Sequence, residues 1–179
     1  MDPFPLQLAL SDHPGVALRR LEESDWRIEL QLARVEDVPR WTMYPADLDE
    51  HGARLRAERN VRAADAHHGI RYVIDERGDA LGTVGFGRSD DGFELFYALR
   101  PEARGRGLVT SAVTALAAWL AAQGETVAWL STLDGNAASE AVAVRCGFRR
   151  FRSGTHVDGR PLTVWTRTLA APAASVPTD

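Results

Sequence analysis

The chain has 179 residues, enough for one domain with a sizeable core, and its 45% hydrophobic and 26% charged content is an ordinary globular balance. A net charge of −4 argues against bulk attraction to nucleic acid or an anionic membrane, and suits a cationic partner such as an amine somewhat better. The single cysteine, Cys146, excludes an intramolecular disulfide and a multi-cysteine metal site, so a reducing, cytoplasmic setting and no metal are expected.

The opening stretch MDPFPLQLALSDHPG lacks the basic region of a signal peptide and is broken by prolines. No apolar run approaches the roughly 18 residues of a membrane span, so a soluble chain without a membrane partner is expected. VALRRL (16–21) predicts a strand. Residues 22–35 predict a helix, with Ser24 as its cap and apolar positions at Trp26, Ile28, Leu30, Leu32 and Val35. RWTMYPADLDE (40–50) reads as a loop carrying Trp41, Met43 and Tyr44 and ended by Pro45. A mostly charged surface helix is expected over 47–67, with a narrow stripe of Leu48, Leu55 and Val61.

Residues 70–75 and 80–88 predict a hairpin about a turn at 76–79. After a second turn at 89–92, FELFYAL (93–99) is the next strand. Arg100-Pro101 closes it, because the residue before proline is pushed away from helix. A strong helix over 108–123 stops at Gly124, and a buried strand follows over 126–133. A short helix over 136–146, capped by Asn136, stops at Gly147, and strands at 148–154 and 162–168 finish the pattern. The order is strand, two helices, three strands, helix, strand, helix, two strands, a mixed α/β layer structure. One domain is expected over 1–168, with a frayed, small-residue tail over 169–179.

Two glycine clusters stand out. GTVGFG (82–87) leads into another strand, not a helix, so it is not a dinucleotide fingerprint, and its glycines suit a bulge or close packing. ARGRG (103–107) lies between a strand end and a helix start. There Gly105 and Gly107 let backbone approach an anion, while the N–H groups of Leu108, Val109 and Thr110 carry the positive helix end. Arg104 and Arg106 add cationic donors, and Thr110 and Ser111 add hydroxyls. An RNA-binding element suits the acidic chain poorly, and a bland turn is the plain alternative.

FELFYALRPEARGRGLVTSAV (93–113) followed by NAASEAVAVRCGFRR (136–150) resembles the GNAT acetyltransferase superfamily, and within it the Rim-type group that acetylates ribosomal-protein N-termini. The superfamily loop has Gln or Arg, two variable residues, Gly, one variable residue, then Gly or Ala. Arg104, Gly107 and Val109 occupy the fixed places, and Val109 departs from the pattern. Asn136, Ser139, Gly147 and Phe148 match the second motif in spacing. The resemblance spans residues 16–168 and is weakest in the first two helices.

The resemblance implies a central mixed sheet, flanked by helices on both faces and splayed open between the strand before the loop and the strand after the helix. It implies acetyl-CoA in that gap and attack of a primary amine on the thioester, the amine belonging to a protein N-terminus or a small molecule. Ala98 and Leu99 would supply backbone N–H donors to the carbonyl oxygen, and Asn136 would touch the pantetheine arm or fix the loop. Ser139 is the candidate partner of the leaving thiolate, or simply part of the helix cap. Glu94 is the candidate base, unless the strand turns it away from the cleft. Tyr97 could orient the acetyl group or donate to the sulfur, or serve as core. Trp41, Met43 and Tyr44 wall the acceptor side, or plug the core beneath a loop. His67 and His68 could approach the cleft, but solvated positions suit them better. Arg145, Arg149, Arg150 and Arg152 form a local basic patch that could meet CoA phosphates, though solvated strand and helix-end charges explain it as well. A non-catalytic acyl-CoA-binding domain is the rival class. A homodimer is compatible with the resemblance.

Overall fold

The computed structural model describes residues 3–89 and 91–169. Its strands are β1 (Gln7–Ala9), β2 (Val16–Arg20), β3 (Gly69–Glu76), β4 (Asp79–Ser89), β5 (Gly92–Leu99), β6 (Val127–Leu133), β7 (Arg149–Thr155) and β8 (Pro161–Thr168). They form one eight-stranded sheet in the order β1-β2-β3-β4-β5-β6-β8-β7. The helices are α1 (Trp26–Ala33), α2 (Asp37–Trp41), α3 (Glu50–Asp65), α4 (Leu108–Ala122) and α5 (Ala137–Arg145).

Every neighbouring pair is antiparallel except β5 with β6, which run parallel for three residue pairs, Phe93–Ala128, Glu94–Trp129 and Leu95–Leu130. Beyond Leu95 the two strands part. β5 continues along β4 to Leu99, and β6 continues along β8 to Leu133. The sheet is therefore mixed and splayed in its middle, as the resemblance implies.

Each face carries its own core. Phe86, Phe93 and Leu95 pack with Leu108, Val113, Leu116 and Leu120 of α4 and with Phe148. On the other face Val73 and Ala98 pack with Ile28 and Leu32 of α1 and Ala53 and Ala57 of α3. Each fully buried large side chain stabilises the fold by roughly 1.5–3 kcal/mol.

Several boundaries differ from the sequence reading. A short edge strand, β1, pairs with β2 in the proline-broken opening stretch, to which the sequence reading assigned no element. The single helix over 22–35 is a 3-10 turn, Glu23–Asp25, followed by α1. Ser24 does not cap it. The Asp25 carboxylate accepts the Glu22 N–H at 2.8 Å and is itself gripped by Arg19, so the charged side chain outcompetes the hydroxyl. The start of the expected loop is helical as α2, which tolerates Pro39 because first-turn N–H groups need no helical partner. The helix expected over 47–67 is α3, capped by Asp49. Its buried stripe is Ala53, Ala57 and Ala64, whereas Leu55 is exposed: small side chains let α3 lie close to the sheet and α1. Leu169, placed in the tail, is buried and donates its N–H to Thr126. Residues 170–179 of the expected tail lie outside the described residues.

One charged group sits wholly inside. Glu29 of α1 is 0% exposed and lies between Arg56 of α3, at 2.5 Å, and Arg71 of β3, at 3.5 Å. Arg71 also donates to Tyr44 Oη and Thr83 Oγ1, so the network ties helix, loop and two strands together. Removing one partner of a buried pair strands the other charge. Glu29→Ala is therefore expected to destabilise the protein by about 3–5 kcal/mol in denaturant unfolding. A loss below about 1 kcal/mol would show that water reaches both guanidinium groups.

Candidate active site

Where β5 leaves β6, backbone is left open. Arg100 N–H donates to Leu81 O, and the alternation of an antiparallel ladder then sets Ala98 against Thr83 of β4. The same alternation turns the N–H groups of Tyr97 and Leu99 toward the gap. Of the two expected backbone donors, the Leu99 N–H faces the gap, whereas the Ala98 N–H faces β4. Ala98 contributes its side chain to the wall, and the second N–H that faces the gap is that of Tyr97.

A cavity of about 500 Å3 fills the gap. Its wall includes Tyr97, Ala98, Leu99, Arg104, Gly105, Gly107, Val109, Thr110, Asn136 and Ser139, so most of the expected donor-site residues come together there. Gly105 and Gly107 have φ of 74° and 80°, left-handed values that L side chains rarely adopt. Gly107 is the N-cap of α4, and the first helical bond runs from Ser111 N–H to Gly107 O. The N–H groups of Leu108, Val109 and Thr110 therefore have no helical acceptors. Leu108 offers only its backbone, because its side chain is core. Val109 adds an apolar face to the wall.

The arginines of ARGRG are not the free cations expected. Arg104 grips the Asp37 carboxylate with two 2.8 Å bonds and donates to Leu99 O, pinning α2 to the end of β5. Its hydrogen bonds hold the Asp37 carboxyl below the usual range. Arg106 lies outside the wall and pairs with Glu76. The cation on the opposite wall is Arg145 of α5, whose Nε lies 3.5 Å from Thr110 Oγ1. Arg150 pairs with Glu140 and Arg152 with Asp91, so the expected basic patch reaches the cavity only at Arg145.

A second cavity, about 480 Å3, meets the first across a shared wall of Trp41, Thr42, Tyr97, Asn136 and Ser139. Met43 and Tyr44 line it, as expected for the acceptor side. Tyr44 is also buried in the core, so it both lines this cavity and packs beneath the loop. Glu94 faces this cavity, which settles its direction on the strand. His67 and His68 are exposed in the turn before β3 and belong to neither wall.

In the shared wall, Tyr97 Oη reaches the Ser139 backbone carbonyl at 3.5 Å, and burial pushes its pKa up to about 12. Asn136 Oδ1 accepts the Ser139 N–H at 3.2 Å, capping α5, which leaves the Ser139 hydroxyl for other work. Burial raises the Cys146 thiol pKa, and its Sγ lies 3.7 Å from Thr110 O, outside both walls. Among the described residues no group of three or more His, Cys, Asp or Glu could hold a metal ion, and no helix is long and apolar enough to cross a membrane.

Sequence reasoning missed Asp37, Arg56, Arg71, Arg88 and His156, all of which stand in these walls. Only Arg71 left a signal, as a charged residue inside the apolar run IRYVI.

A family model described as an acetyltransferase (GNAT) domain matches residues 16–149, well over half of the chain. The chain belongs to the GNAT acetyltransferase family. Among solved structures, this GNAT acetyltransferase is similar to RimL, a ribosomal L7/L12 α-N-protein acetyltransferase in complex with coenzyme A. That match has a TM-score of 0.81 at 19% identity and covers 89% of this chain and 97% of the other. The microcin C7 self-immunity acetyltransferase MccE, in complex with acetyl-CoA and AMP, matches with a TM-score of 0.80 at 16% identity, covering 93% and 98%. A ribosomal-protein-S5-alanine acetyltransferase from Vibrio fischeri matches at 0.77 and 15%, covering 97% and 100%. Curated protein sequences gave no match.

Because Arg104 is already neutralised, its partner carboxylate opposes an incoming anion. Asp37→Asn is expected to bind CoA as tightly as wild type or a few-fold more tightly by calorimetry. The unfolding free energy should change by less than about 1 kcal/mol, as for an exposed pair. Tenfold weaker binding would show instead that Asp37 must orient Arg104 for the ligand.

Proposed function

We propose that this acetyltransferase transfers the acetyl group of acetyl-CoA to a primary amine, with the donor in the first cavity and the amine in the second. One observation carries this: two cavities of similar size meet at a single wall, beside the stretch of β5 whose N–H groups have lost their neighbouring strand. A single acetyltransferase domain over 1–168 accounts for both cavities.

The first cavity suits the donor's chemistry. The unpaired N–H groups of Leu108, Val109 and Thr110, with the Gly105–Gly107 loop, suit a diphosphate, and Arg145 supplies the cation. Ala138, Ala141, Val142 and Val109 give an apolar run for an uncharged arm. When bound, acetyl-CoA supplies an activated acyl carbonyl and a thiol leaving group.

The protein's part follows from the positions of its groups. Tyr97 and Leu99 N–H are donors fixed in advance for the carbonyl oxygen, the kind of preorganised group that lowers such barriers most. Glu94, in the acceptor wall, takes the proton that the ammonium must lose. An α-amine has a pKa of about 7.7–8.0, so the base has little to do near neutrality. Tyr97, at about 12, is a far weaker acid than a thiol at roughly 8.5, so it steadies the leaving sulfur by a hydrogen bond and keeps its own proton. Ser139 offers a second hydroxyl from the same wall.

The acceptor we favour is a protein or peptide N-terminal amine, with a small-molecule amine as the second class, in a cytoplasmic setting. The likeness to RimL and to the S5-alanine acetyltransferase supports the first class, and the likeness to MccE supports the second.

The test is release of CoA thiol from acetyl-CoA with and without a panel of peptide and small amines. Amine-dependent release is expected. Acetyl-CoA binding with no release across the panel would leave an acyl-CoA-binding domain. A hydrogen bond to a charged group is worth about 1.5–3 kcal/mol. Tyr97→Phe is therefore expected to lower kcat by about 10- to 100-fold. The rise of kcat/KM with pH should stay where it is, because a group at about 12 is protonated throughout that range. A moved ascending limb would make Tyr97 part of the proton path instead.

A further inference from the structure

The acceptor cavity has a character that the chain's net charge of −4 conceals. Arg56 and Arg71 stand in its wall against one carboxylate, Glu94, while the guanidinium of Arg88 stacks on Phe93 on the other face of the sheet. Behind the wall, Glu29 is shared by Arg56 and Arg71, whose side chains are 11% and 10% exposed. Two buried guanidinium groups facing one buried carboxylate leave one positive charge over.

Arg71 is where that charge meets the cavity. Its guanidinium carbon lies 4.5 Å from the centre of the Phe96 ring, which fixes its plane. Nη1 donates to Tyr44 Oη at 3.1 Å and Thr83 Oγ1 at 2.9 Å. Nε lies 3.5 Å from Glu29 Oε1 without forming a hydrogen bond. Among the described residues Nη2 has no hydrogen-bond partner at all. Burial also raises the Tyr44 pKa, so its hydroxyl is a neutral neighbour rather than a competing anion. A stacked, nine-tenths buried arginine with a free edge on a cavity is a built receptor for a planar or tetrahedral oxyanion.

We propose that the acceptor amine carries an anionic group, a carboxylate or a phosphate, which docks on Arg71 Nη2 while the amine reaches Glu94 and the shared wall. The proposal rests on the acetyltransferase reading above and narrows its acceptor class. The buried cation then selects acceptors, and the anion sets where the amine lies.

The test compares matched acceptors, β-alanine with β-alaninamide and phosphoethanolamine with ethanolamine, at saturating acetyl-CoA. At least one anionic member is expected to exceed its neutral partner tenfold or more in kcat/KM, and the pair that does so tells carboxylate from phosphate. Arg71→Met should bring that ratio near one, with Arg71→Lys between, because lysine keeps the charge but loses the fork. Arg71→Met leaves Glu29 paired with Arg56, and a retained rise in melting temperature with acetyl-CoA shows that it folds. A wild-type ratio near one for both pairs, or a ratio that Arg71→Met leaves unchanged, overturns the proposal. Should Arg71→Met not fold, glutarate or inorganic phosphate in wild type should inhibit competitively against the amine at saturating acetyl-CoA, and no such inhibition overturns it. Should no amine turn over, the acetyltransferase reading fails separately. The anion site is then read with CoA bound: glutarate or phosphate should raise the melting temperature of wild type but not of Arg71→Met, and no rise in wild type overturns it.

Discussion

The site depends on β5 and β6 being paired for only three residues. A parallel pair that continued would satisfy both strands and leave no room for a ligand. Parting after Leu95 frees the Tyr97 and Leu99 N–H groups of β5 from the sheet ladder. Both cavities open beside that unpaired stretch, and every catalytic role assigned above is set by distance from it. The two cores keep the parting open: α4 is fixed on one face and α1 with α3 on the other, so neither strand can swing across.

Charge is arranged around this gap with little waste. The arginines nearest the open helix end are committed to Asp37 and Glu76, so they hold the loop and α2 in place. The helix N-terminus and Arg145 are left to meet an anion. On the other side the order is reversed: a buried carboxylate is outnumbered by two arginines that line the second cavity. An acidic chain can therefore present two cationic pockets.

Much of this was legible in the sequence. The strand before the loop, the alanine-rich α4, the Asn136 cap and the order of elements all follow from local pattern, because turn chemistry and helix capping are short-range. The direction of Glu94 could not be read, since strand parity depends on register. Asp37, Arg56 and His156 were invisible because they enter the site from elements distant in sequence. Arg104 misled for the same reason: its partner lies 67 residues away. The α3 stripe misled differently. Large side chains draw attention, yet close approach to the sheet selects Ala53 and Ala57.

The most direct measurement is thermal unfolding of wild type and Gly107→Asp with and without acetyl-CoA. A Cβ at Gly107 would meet nothing closer than His13 at 3.8 Å, and although φ of 80° strains any L side chain, aspartate tolerates left-handed backbone better than most; a cooperative unfolding transition without ligand is the check that the variant folds. Its carboxylate would occupy the place kept for a phosphate. Acetyl-CoA at 100 times its Kd should stabilise wild type by about 2.7 kcal/mol, a rise of several degrees, and should leave the folded variant unmoved. No rise in wild type at millimolar acetyl-CoA, or an equal rise in both proteins, would contradict the assignment of this loop as the donor site.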